Sequence, residues 1–78
     1  MGQEGIIVED YSALRRALAQ RRKELGLVQL EVDWRAQTAD GYTGKIECGM
    51  RSLGEKSLPA LLGVLGLVIV VKPKSKGD

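Results

Sequence analysis

The stretch GLVQLEVDWRAQTADGYTGKIECG, residues 26–49, decides how this chain folds. It reads as two short helices that meet at a tight corner. Gln29, after Val28, opens the first of them, and Val32 and Ala36 follow four apart on one face, the spacing of an inward-facing helical stripe. Gln37-Thr38 is the corner. The second helix is expected to begin at Ala39 or Asp40 and to run to Cys48, where Gly49 stops it.

On the amino-terminal side, Leu14, Ala17, Leu18 and Leu25 recur at helical spacing, with Arg15, Arg16, Arg22 and Lys23 in other positions. A helix is predicted there, capped by Ser12 and ended by Gly26. Residues 1–11, with Gly2, Gly5 and the run Ile6-Ile7-Val8, read as an arm able to pair as an edge strand. On the carboxy-terminal side, residues 50–56 form a loop and Ser57 is expected to cap a fourth helix. Pro59 suits its first turn, Leu58, Leu61, Leu62 and Leu65 are its core residues, and Gly66 terminates it.

The next five residues, Leu67-Val68-Ile69-Val70-Val71, are largely β-branched and end at Lys72-Pro73, which predicts a strand. A lone strand leaves its N–H and C=O groups unpaired and invites another to complete the ladder. The simple solution is a two-fold dimer in which the same strand of each subunit pairs antiparallel across the axis. Pairing with Ile6-Ile7-Val8 is the rival, and one small sheet can combine both. The expected fold is therefore mainly α, a bundle of four to five short helices with a C-terminal β-strand paired between subunits. Its parts are an arm (1–11), a helical domain (12–66), a dimerisation strand (67–73) and a flexible basic tail (74–78).

Seventy-eight residues make one domain, and a chain of that size buries only about 60% or slightly more of the surface its unfolded form exposes. Thin cores are reinforced by disulfides, metals or oligomerisation. With one cysteine, Cys48, and no histidine, an internal disulfide and a zinc cluster are not available, which leaves oligomerisation. The single cysteine, the lack of a bilayer-length apolar run and the lack of a signal-peptide pattern lead to a cytoplasmic expectation. No histidine, no paired carboxylates and no Ser or Cys with an evident base argue against an enzyme, and no cofactor is expected.

The net charge of +2 says little, but its distribution says more. Residues 1–25 hold five basic and four acidic side chains, residues 26–49 two and four, and residues 50–78 five and two, or +1, −2 and +3. Positive charge flanks the helix pair and is not concentrated in it.

With Arg22, Gly26-Leu27, Gln29, Ala36, Tyr42, Lys45-Ile46-Glu47 and Gly49 in this order, residues 12–66 resemble the Cro/repressor-type, Xre-like helix-turn-helix family. RRKELGL followed by Gln29, and GKIECG at the end of the third helix, are the most specific pieces. The resemblance implies a lambda-repressor-like bundle whose third helix enters the major groove of DNA. LLGVLGLVIVVKPK further resembles the HipB-type antitoxin branch, in which a strand after the last helix pairs between subunits.

The same resemblance assigns roles to residues. Ala39, Asp40, Gly41, Gly44 and Lys45 are the base-contacting set, with Lys45 able to reach a guanine, Asp40 a cytosine amine, and Ala39 or the Thr43 methyl a thymine. Gln29 is a phosphate anchor at the amino end of the second helix, the alternative being a Gln that caps its own helix. Tyr42 contacts phosphate or sugar, or is half-packed on the corner. Arg51, Ser52 and Lys56 meet the DNA backbone, and Arg22 pairs with Glu47 as a structural ion pair.

Asp33, Gln37, Thr38 and Thr43 depart from the family, which has Ala, Gly and aliphatic residues there, so the corner is less apolar than usual. Leu30 and Trp34, four apart, make an outward apolar patch, either covered by the arm or used for protein contact. Two functions are thus expected in order: a homodimeric, sequence-specific DNA-binding regulator, in the manner of a repressor on an inverted repeat, and an antitoxin-like module that binds a toxin or other protein through Leu30 and Trp34 while regulating its own operon.

Overall fold

In the computed structural model, which describes residues 5–74, the chain forms four helices: α1 (Tyr11–Glu24), α2 (Gln29–Ala36), α3 (Tyr42–Glu47) and α4 (Ser57–Leu65). The protein is mainly α, and no strand forms among the described residues.

α1 starts earlier than its predicted cap. Asp10, extended at φ −150°, accepts the Ala13 N–H on its carboxylate at 2.7 Å, and a charge at the positive end of the helix adds to that cap. The Ser12 hydroxyl instead accepts from Arg15 Nη2 at 3.0 Å. Leu18 is buried, whereas Leu25, predicted inside, is exposed because it follows the last helical residue, where the 3.6-residue period no longer applies. In α2 the Glu31 carboxylate accepts the Val28 N–H at 3.2 Å. Val28 has no side-chain acceptor, so only this half of a capping box is made.

α4 is entered through Lys56, not capped by Ser57, which is already helical. The Ser57 hydroxyl folds back to accept the Gly54 N–H at 2.8 Å. At the other end Gly66 takes a left-handed conformation, φ 67°, which its missing Cβ makes cheap. That geometry lets the Leu67 N–H reach the Leu62 carbonyl at 3.0 Å, while Arg21 Nε donates to the Leu65 carbonyl at 2.9 Å.

Leu18, Val32, Leu61 and Leu65 form the core, flanked by Leu14, Leu27, Ala36, Leu53, Leu62, Val64 and Leu67. α2 packs on α3 and α4, and α1 packs across both as well. Val32 and Ile46 are each 1% exposed and line one small cavity together with Leu18, Leu61 and Leu65, so both helices of the corner are anchored by a buried side chain.

The expected C-terminal strand is not formed. After Leu67, residues 68–71 are exposed, Val71 to 92%, and no hydrogen-bond ladder reaches Ile6 or Ile7, which are exposed too. A strand exists only with a partner, and the intramolecular pairing is not made within this chain. Most of the expected tail, and residues 1–4 of the arm, lie outside the described residues. Among the described residues no helix is long and apolar enough to cross a membrane.

Candidate nucleic-acid interface

The corner between α2 and α3 is organised by a residue that sequence reasoning treated as a mere departure. Asp33 is 0% exposed, yet both carboxylate oxygens are engaged. Oδ1 accepts from the Thr43 N–H at 2.8 Å, the Thr43 hydroxyl at 2.6 Å and the Thr38 hydroxyl at 3.3 Å, and Oδ2 accepts from the Gly41 N–H at 2.8 Å. Burial by itself would raise this carboxyl. The bonds from Thr43, Gly41 and Thr38 outweigh it and hold the group below the ordinary carboxylate range, so it stays ionised. The signal in the sequence was joint: Asp33, Thr38 and Thr43 are three polar residues at three positions where the resemblance expects small or aliphatic ones.

This clamp also explains why α3 starts at Tyr42 and not at Ala39 or Asp40. Ala39 has no oxygen to cap a helix there. Gly41 sits at φ 91°, a left-handed turn suited to a residue without Cβ, and its N–H points back to Asp33. Ala39, Asp40 and Gly41 therefore belong to the turn before α3, and only Gly44 and Lys45 of the expected base-contacting set lie on the helix. Gln37 closes α2 in the left-handed region at φ 61°, a conformation that favours glycine.

At the other end of α3, Arg22 and Glu47 meet in a fork, Nε to Oε2 at 2.7 Å and Nη2 to Oε1 at 2.9 Å, with side chains 12% and 13% exposed. Arg22 also donates to the Leu27 carbonyl at 2.9 Å, tying α1, the entry to α2 and α3 together. Burial pushes the Glu47 carboxyl up, but hydrogen bonds from Arg22 and Gln29 and the charges of Arg22 and Lys23 hold it below its ordinary value. The same bond to Glu47 outweighs burial and raises the Arg22 guanidinium. Gln29 neither caps its own helix nor points away from the protein: its Nε2 donates to Glu47 Oε1 at 2.7 Å.

The remaining expected contacts sort by how free they are. Lys45 is exposed and its amine has no partner among the described residues. Arg51, Ser52 and Lys56 are exposed beyond α3. Tyr42 is half-buried, its phenol 2.6 Å from the hydroxyl of Ser57 at the start of α4 and not on the α2 corner. Its ring carries the Arg51 guanidinium at 5.7 Å, so Tyr42 steers Arg51. Asp40 Oδ1 accepts the Trp34 indole N–H at 3.2 Å. Trp34 remains 60% exposed next to exposed Leu30, so Ile6, Ile7 and Val8 of the arm do not cover this patch. Among the described residues no His, Cys, Asp or Glu cluster is placed to hold a metal.

Compared with known protein families, with characterised proteins and with solved structures, the chain matches none.

Proposed function

We propose that this chain is a homodimeric, sequence-specific DNA-binding regulator, acting as a repressor from the cytoplasm, with a lambda-repressor-like arrangement of its helices. α3 enters the major groove, and two copies read an inverted repeat about one helical turn apart. The observation that carries the reading is the corner: α2 and α3 are braced by Asp33 within and by Arg22 and Glu47 at the far end, leaving Lys45 outward and exposed. Lys45 reads a guanine, and Arg51 and Lys56 neutralise phosphates beside it. Pairing of residues 67–71 between subunits supplies the dimer and covers the exposed Val68, Ile69, Val70 and Val71.

The test is selection from randomised duplexes at low salt. An enriched inverted repeat whose affinity falls linearly with the logarithm of salt concentration is the expected result. No enrichment of any sequence overturns the reading.

A second reading is favoured by one observation, the exposure of Trp34 beside Leu30. In it the patch holds a protein such as a toxin, and DNA binding serves autoregulation. Trp34 is the one tryptophan of the chain, so a blue shift of its emission on mixing with the product of an adjacent gene supports this role, and an unchanged spectrum with no co-purification rejects it.

A further inference from the structure

The outward side of α3 is nearly bare, since Gly44 carries no side chain and Lys45 is its one long donor, and Gly41 just before the helix adds none. Gly44 is nevertheless not open. A Cβ built there would meet Gln29 three times over, Oε1 at 3.0 Å, Cδ at 3.5 Å and Nε2 at 3.8 Å. The space through which a side chain at position 44 would leave the helix is thus filled by the carboxamide of Gln29, reaching across from α2.

That carboxamide is held in place. Its Nε2 donates to Glu47 Oε1 at 2.7 Å, and Glu47 is in turn gripped by Arg22. Among the described residues Gln29 Oε1 and the second hydrogen of Nε2 have no partner, and the side chain is exposed. An acceptor and a donor therefore lie side by side on the surface of α3, orientation already fixed.

We propose that Gln29 is a base-reading residue, whose carboxamide stands in for the side chain that α3 lacks at Gly44. The inference rests on the DNA-binding reading of the same helix pair and replaces the phosphate contact that the resemblance implies for Gln29. A phosphate offers only acceptors, so it could use the free amide hydrogen but would leave the Gln29 oxygen lying over Gly44 unmatched. The matching ligand is adenine, whose N6–H donates to Oε1 while N7 accepts the free amide hydrogen. Gly44 is the positioning residue, because a Cβ there would stand 3.0 Å from Gln29 Oε1 and crowd the flexible end of that side chain out of its present alignment.

The experiment compares wild type with Gly44→Ala, Gln29→Ala and the double variant on the selected duplex and on duplexes changed one base pair at a time. Alanine favours the helix at position 44, so the fold is kept, and far-UV circular dichroism checks it. Both single variants are expected to lose about tenfold of the preference for an A·T pair at one and the same position. The double variant is expected to lose no more than either, because Gly44 acts only through Gln29. Preference unchanged at every pair overturns the inference while leaving the DNA-binding reading intact. So does a uniform weakening on all sequences with a smaller salt slope, which assigns Gln29 to phosphate. A wild-type chain that selects no sequence overturns both, and is seen before any variant is made.

Discussion

Asp33 shows how one buried carboxylate can replace an apolar contact. An unpaired charge there would be costly, but four donors converge on it, two of them backbone N–H groups that would otherwise be orphaned at the corner. Asp33→Ala strands those N–H groups and is expected to cost about 2–4 kcal/mol, a large part of the about 4–12 kcal/mol typical of a chain this long. Asp33→Asn keeps one acceptor oxygen and is expected to lose about half as much, both read from urea unfolding. Acid should act at the same place. Asp33 and Glu47 titrate below their ordinary values in the folded chain, so on acidification the unfolded chain takes up protons first. Stability is then complete above about pH 4–5 and falls as the pH drops below the ordinary carboxylate range of about 4 toward the lowered native values. Unfolding midpoints measured at about pH 7, 4 and 3 check the direction, and Asp33→Asn is expected to flatten the decline.

At the scale of elements, the helices follow from periodicity but their ends do not. Leu14, Leu18, Val32, Leu61 and Leu65 were legible as inward positions because a 3.6-residue stripe needs no knowledge of its neighbours. The starts of α1, α3 and α4 each moved, because a cap is a competition among nearby oxygens: Asp10 displaces Ser12, Ser57 turns to Gly54, and Asp33 from another helix claims the N–H groups that would have begun α3 at Asp40. Gln37 pays the left-handed conformation without being a glycine. Gln37→Gly is expected to raise stability by about 0.5–1 kcal/mol, the relief at φ 61° exceeding the added freedom of the unfolded chain. A higher thermal midpoint in calorimetry is the check, and a lower one shows that the Gln37 side chain contributes more than its backbone costs.

For the whole molecule, the least packed feature among the described residues is its exposed carboxy-terminal run. Residues 68–71 place four β-branched side chains in water next to a small core, an arrangement that a second copy would relieve. Sedimentation is expected to give twice the 8.5 kDa of the chain. Ile69→Lys is expected to return the mass to that of a monomer with helicity unchanged, since Leu67 is the last residue of this run packed on the core. A wild-type mass of one chain at high concentration rejects the paired strand. By itself the sequence determined the helical class and the inward faces, because periodicity is a property of residues; the pairing of Arg22 with Glu47 was implied by the resemblance, and the structure brings the two together. Only the tertiary structure decided where α3 begins, that Asp33 holds it there, and that Gln29 lies over Gly44. Those depend on which donors and acceptors from separate helices come within 3 Å of one another, and spacing along a chain does not encode that distance.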